Sequence, residues 1–290
     1  MSQSPGQRSL ATGLVVALVV LGLSVIGPFR WMTDALLFHP EAGQDRDPSA
    51  LGIPFVERPL VTEDGVAIQS WWMPRAESAP RLGVTIVTFH GNGGTMSGRL
   101  EWCALVHRMG ASVLAVEDRG YGNSEGTPSE EGLALDARAG LLEARRLAAE
   151  LGERVVVHGR SLGGAVAIGL AASEEVDGLI AESTFTSLGD MAAGTGIPLA
   201  RQLVAYDFDS EQKIGSVGAP VLLVHGDADE VVPYVMGERL RDAAQTAGLA
   251  VSFLSVPAGE HNSTWTQAGD AYLSLLESWL RELGSSDGPG

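Results

Sequence analysis

The sequence predicts an α/β fold: a mostly parallel, eight-stranded sheet with helices on both faces and no large cap domain. Three observations predict it. From Phe55 onwards strand-like runs alternate with helix-like runs over short connections, the pattern of a parallel sheet whose crossovers are helices. The turn TEDG (Thr62–Gly65) separates the first two strand-like runs, so those two form an antiparallel hairpin. The stretch RVVVHGRSLGGAVAIGL (Arg154–Leu170) drives a strand directly into a helix through Gly-x-Ser-x-Gly.

In chain order, strands are predicted at 55–61, 67–73, 83–90, 112–117, 154–158, 178–182, 220–225 and 251–256. Helices are predicted at 96–109, 129–151, 162–173, 234–247 and 266–283 from their apolar periodicity. Ser129 followed by Glu130 and Glu131 reads as an N-cap with an acidic first turn, and Gly152 as a C-terminal stop. Thr184–Ala219 is long enough for a few short helices and too short for a separate cap domain, which leaves the pocket open. No internal repeat is present.

The amino terminus is of another kind. Leu10–Ile26 carries no charge and lies between Arg8 and Arg30, which stand about 33 Å apart on a helix, close to one hydrocarbon thickness. A cleaved signal peptide ending near Gly22 and Ser24 is the competing reading. The length of the run and the apolar WMTDALLF beyond it favour an uncleaved anchor, with Trp31 at headgroup depth. The expected organisation is a flank at 1–9, a transmembrane signal anchor at 10–29, a juxtamembrane connector at 30–54 with a polar, Pro-bearing stretch from His39, the α/β domain at 55–284 and a disordered tail at 285–290. The flanking charges weakly place the domain outside the cytoplasm.

Composition narrows the function. The net charge is −17 with no visible basic patch, which argues against a nucleic-acid partner. The single cysteine, Cys103, excludes an internal disulfide framework and sits at a core position of a helix. No His/Asp/Glu cluster has metal-ligand spacing, so neither a metal nor another cofactor is expected.

The chemistry centres on Ser161. A turn that passes from strand to helix in one residue crowds the backbone, and Gly159 and Gly163 supply the small neighbours it needs. The hydroxyl then stands at the carboxyl end of the strand, and the Leu162 N–H opens the helix, ready to donate to an anion. A serine needs a base, and the base an orienting carboxylate. LLVHGDADEVVP places Asp227 and Asp229 after a later strand, and VPAGEHNSTW places His261 after the last. Asp229 is preferred as the acid on the pattern HGxxDxxVP, with Asp227 fixing the turn. FHGNGG (Phe89–Gly94) offers a second oxyanion donor, the backbone N–H of Asn92. His90, His158 and His225 precede glycines at strand ends, where packed structural roles are expected. EDRGYGNSEG (Glu117–Gly126) departs from the dinucleotide-loop spacing and is expected to border the pocket. Arg160, beside the nucleophile, is expected to be solvated or salt-bridged.

HGNGG, DRGYGNSEG, GRSLGG, ESTFTSL, FDSEQKI, HGDADEVVP and GEHN together resemble the α/β-hydrolase superfamily. More narrowly they are similar to its small membrane-anchored branch of serine hydrolases, which includes protein depalmitoylases. The similarity spans 36–284, with LLFHP ahead of the domain. It implies an α/β-hydrolase fold, a nucleophile at Ser161, an acid at Asp229, a base at His261 and oxyanion backbone at Asn92 and Leu162. The N-terminal segment lacks the cysteines by which the depalmitoylases attach to membranes, so depalmitoylation itself does not carry over. The expected activity is hydrolysis of an ester, thioester or amide of a small-molecule or acylated substrate. A catalytically silent, membrane-tethered binding protein is the alternative, and a lyase, transferase or perhydrolase could use the same triad.

Overall fold

The computed structural model describes residues 30–285. The expected anchor at 10–29 therefore lies outside the described residues, as do the flank and residues 286–290. Among the described residues no helix is long and apolar enough to cross a membrane.

Eight strands form the central sheet: β1 (Val56–Glu57), β2 (Ser70–Met73), β3 (Val84–Phe89), β4 (Ser112–Val116), β5 (Arg154–Arg160), β6 (Gly178–Glu182), β7 (Val221–Gly226) and β8 (Val251–Val256). Their spatial order is β8-β7-β6-β5-β3-β4-β2-β1. Strands β3 to β8 run parallel to one another, and β2 is antiparallel to both β4 and β1. The predicted first hairpin is split. Val56 and Glu57 pair with Trp72 and Trp71, whereas Leu60 and Val61 pair separately with Ile68 and Ala67. Pro59 stands between the two pieces and has no N–H for the ladder.

Five longer helices cover the sheet: α1 (Leu100–Met109), α2 (Glu130–Leu151), α3 (Leu162–Ser173), α4 (Tyr234–Thr246) and α5 (Asp270–Ser285). Helix α2 begins where the Ser129 hydroxyl accepts from the Gly132 N–H at 3.0 Å, and it ends at Gly152 in the left-handed region. Helix α3 is apolar around nearly its whole circumference and is correspondingly buried. The predicted helix 266–283 is two helices, Thr264–Ala268 and α5, because Gly269 adopts φ +51° between them. Two apolar clusters fill the layers on either side of the sheet, one under α2 and α3, the other under α1 and α5.

Thr184–Ala219 holds three short helices, Leu188–Gly194, Ala200–Leu203 and Ser210–Ile214. The expected connector is more ordered than its composition suggested. Residues 30–37 are helical, Phe38 is buried, and His39–Pro40 pairs in parallel with Gly93–Gly94. Leu37 and Phe38 pack into the core and Phe38 meets the Tyr206 ring edge-on, while the polar stretch that follows is held at His39–Pro40 by backbone pairing.

Candidate active site

All predicted site residues meet at the carboxyl ends of β3, β5, β7 and β8. Ser161 sits between β5 and α3 with φ +55° and ψ −121°, a conformation that costs an L-residue about 1–3 kcal/mol. The surrounding glycines make that conformation possible. A Cβ on Gly159 would lie 1.9 Å from the Gly163 carbonyl oxygen, and one on Gly163 would lie 2.2 Å from that of His90 and 2.4 Å from that of Phe89. The Thr184 hydroxyl donates to the Ser161 carbonyl at 2.8 Å, and the Ser161 N–H to the Glu182 carbonyl at 2.9 Å. The turn is therefore fixed from the neighbouring strand as well as from within.

The Ser161 Oγ lies 3.1 Å from His261 Nε2, and His261 Nδ1 lies 2.8 Å from Asp229 Oδ2 and 3.1 Å from Oδ1. Asp229 is held in turn. Its Oδ1 accepts from the N–H groups of Val231 (2.9 Å) and Val232 (2.8 Å), and His225 Nε2 stands 3.4 Å from Oδ2. Burial opposes ionisation, but the hydrogen bonds from His225, His261 and the Val232 N–H keep the carboxyl well below the usual range. Asp227 is exposed, and its Oδ1 accepts from the Ala258 N–H at 2.7 Å, bracing the loop that carries His261.

The two oxyanion candidates flank this serine. The Leu162 N–H opens α3 and so has no intrahelical acceptor. The Gly91–Asn92 peptide is oriented from its other side. His90 Nδ1 donates to the Gly91 carbonyl at 2.7 Å, so the Asn92 N–H of that trans peptide points the opposite way. Burial works against charge on His90, yet Asp118 and Glu117, whose Oε1 is 2.9 Å from Nε2, raise it to about 9. The next peptide is fixed as well: the Asn92 carbonyl accepts from the His39 N–H and the Tyr121 hydroxyl, both at 2.9 Å. The connector and the loop Glu117–Gly126 thus buttress this turn, which the sequence signalled only through the His-Gly pair and the glycines.

Arg160 departs from expectation. It is 5% exposed and makes no ion pair among the described residues. It lines a cavity of about 340 Å³ together with Arg99, Trp102, His158, Glu182 and Trp265. His158 stacks flat on Trp102 with ring centres 3.7 Å apart, and its Nδ1 is 2.7 Å from the Thr88 hydroxyl. A larger cleft of about 510 Å³, bounded by Arg154, Pro220 and Val251, lies at the opposite, amino ends of the strands, away from the serine.

Comparison with known proteins gives a consistent result. Residues 144–286 match the prolyl oligopeptidase family. An uncharacterized protein of Mycobacterium tuberculosis is 35% identical over 92% of this chain and 94% of its own length. The alpha/beta hydrolase domain-containing protein WAV2 of Arabidopsis thaliana is 31% identical over 83% of this chain and 84% of its own. Among solved structures, the Pyrococcus furiosus esterase Pf2001 superposes with a TM-score of 0.71 at 20% identity, covering 85% of this chain and 97% of the esterase.

Proposed function

This chain belongs to the α/β-hydrolase superfamily of esterases and peptidases, and we propose that it cleaves an ester, thioester or amide through Ser161, His261 and Asp229. The observation that carries this is the continuous hydrogen-bonded line from Ser161 Oγ through the His261 imidazole to Asp229. Asp229 accepts the Nδ1 proton of His261, which leaves Nε2 as an acceptor for the serine proton. Ser161 Oγ attacks the carbonyl carbon as that proton moves to Nε2. The resulting oxyanion accepts from the N–H groups of Leu162 and Asn92, each such donor contributing about 3–4 kcal/mol of transition-state stabilisation. The imidazolium then returns the proton to the leaving group. Water, deprotonated by the same Nε2, attacks the acyl-enzyme and frees Ser161.

Leu10–Ile26 is proposed to anchor the enzyme in a membrane. Trp31 and Leu36, 74% and 72% exposed on the helix that follows, support this by extending the apolar run to an interface depth.

A fluorophosphonate probe tests the triad. It is expected to label the protein at Ser161, and Ser161→Ala is expected to lose both labelling and turnover of p-nitrophenyl acetate. An unlabelled, inert wild type would leave the silent binding protein as the better account. Undiminished turnover in Ser161→Ala would exclude this nucleophile.

A further inference from the structure

Resting on the hydrolase reading, we propose that the cavity beside Ser161 is an anion subsite, in which Arg99 and Arg160 hold a carboxylate or phosphate carried by the substrate. Arg160 is the residue before the nucleophile, at the very end of β5. Arg99 reaches the same place from the turn that leads into α1. A Cβ on Gly91 would stand 3.5 Å from both Arg99 Nη2 and the Ser161 Cβ, so guanidinium and nucleophile face one glycine. Arg99 Nη2 therefore lies no farther than twice that distance from the Ser161 Cβ.

The arginines are not consumed by the fold. Nε and Nη2 of Arg160 and Nε of Arg99 are buried without a hydrogen-bond partner. A structural arginine would spend these donors on carbonyls or carboxylates, because a buried charge without partners is strongly unfavourable. Glu182, at the end of β6, is the carboxylate in the wall of the cavity. One of its oxygens accepts from the Tyr272 hydroxyl and the other, Oε2, has no partner. No ion pair joins it to either arginine among the described residues. Glu101 at the rim is turned outward to Arg46, 2.6 Å away. His158 adds no charge, since burial and then the two arginines push it well below its ordinary value. Burial and then Arg160 bring Arg99 down to about 10 against the attraction of Glu182, which leaves it cationic at neutral pH.

Two cations thus face one carboxylate in a buried cavity of a chain whose net charge is −17. The local excess of positive charge calls for one more anion. The planar fork of a guanidinium matches the paired oxygens of a carboxylate or phosphate. At about 340 Å³ the cavity lies near the small end of ligand pockets and suits a short chain rather than a long acyl tail. The substrate class is then a monoester or thioester of a short dicarboxylic acid, or a short acyl ester of a phosphorylated alcohol.

The test compares matched pairs on the purified full chain. One arm sets mono-p-nitrophenyl glutarate against p-nitrophenyl valerate. The other sets acetylglycerol 3-phosphate against acetylglycerol, followed by acid release. One arm is expected to favour the anionic member in kcat/KM by about tenfold to a hundredfold, the ordinary range for charge-assisted hydrogen bonds. Arg99→Gln and Arg160→Gln should bring that ratio towards one, and Arg160→Lys should restore part of it. Calorimetry with glutarate and with inorganic phosphate on the Ser161→Ala protein gives a readout independent of turnover, and binding there should vanish on adding Arg160→Gln. A ratio at or below one in both arms, or one that survives both arginine replacements, would overturn the subsite while Ser161-dependent cleavage of the neutral esters left the hydrolase intact. Absence of fluorophosphonate labelling together with intact anion binding would do the reverse.

Discussion

Replacing Asp229 by Asn keeps the volume, removes the carboxylate charge that steadies the imidazolium, and reverses the direction of a hydrogen bond. Both loop N–H groups, Val231 and Val232, donate to Oδ1. An amide at this position keeps its oxygen there, because the opposite orientation sets an NH2 against two N–H donors. The amide nitrogen must then occupy the Oδ2 position, 2.8 Å from His261 Nδ1. It donates to Nδ1, which becomes an acceptor, and the shorter contact favours the tautomer with the proton on Nε2 over the one whose Nδ1–H would reach Oδ1 at 3.1 Å. In that tautomer the nitrogen 3.1 Å from Ser161 Oγ cannot take its proton. The same inversion lowers kcat by about 10⁴ in the serine-protease triad, equivalent to about 5 kcal/mol of barrier. Asp227→Asn is the control: its Oδ1 accepts only the Ala258 N–H, which an amide oxygen accepts equally well, so a change of about twofold is expected. The assay is initial-rate hydrolysis of p-nitrophenyl acetate, with unchanged circular dichroism as the check on folding. Asp229→Asn within tenfold of wild type, or equal losses in the two variants, would refute the reasoning.

Three further outcomes are expected. Gly163→Ala drives a methyl group into the backbone carbonyls of Phe89 and His90, which cannot swing aside; it should cost about 1–3 kcal/mol of stability and about 10²-fold in kcat, read by urea unfolding and initial rates. His90 has its folded value raised from 6.5 to about 9, so its contribution to stability is complete below about pH 6.5 and is lost as the pH rises through about 9. Thermal midpoints of the wild type should fall across that window, and His90→Gln should flatten the fall; a wild-type midpoint that rises with pH there would contradict the assignment. The full chain, fractionated after a carbonate wash, should stay in the membrane pellet; intact protein with Met1 present in the supernatant would refute the anchor, and a mature chain starting near Val25 would show a cleaved signal.

Local chemistry made most of the sheet legible. Gly-x-Ser-x-Gly between a valine run and an alanine-rich run leaves no alternative to a strand entering a helix, and Ser129 with Gly152 bounds α2 to within a residue. The elements that were misdrawn are those decided by a single backbone property. Pro59 divides a run that looks like one strand, and Gly269 divides a run that looks like one helix. The stretch from His39 was read as a polar connector because its side chains carry no apolar periodicity. Its contribution is made by main-chain groups, the His39 N–H on the Asn92 carbonyl and the pairing with Gly93–Gly94, to which residue type is nearly blind.

The site divides along a similar line. Ser161, Asp229 and His261 were recoverable because each follows a strand directly, and the parallel sheet brings the carboxyl ends of β5, β7 and β8 to one edge whatever the helices between them do. The groups that tune them were harder to read. His225 meets Asp229 four residues on, through the turn after β7, and its ring is seated by α4, where a Cβ on Gly237 would lie 2.5 Å from His225 Nδ1. Arg99 and Arg160 lie 61 positions apart and meet only because β5 is hydrogen-bonded to β3, whose following turn carries Arg99 into the space above Gly91. A lone arginine next to a nucleophile is ambiguous in sequence, since water or a neighbouring acid could satisfy it. What distinguishes this one is the accounting of its donors, and that accounting exists only once Trp102, Tyr272 and one Glu182 oxygen have been joined in a hydrogen-bonded chain beside it.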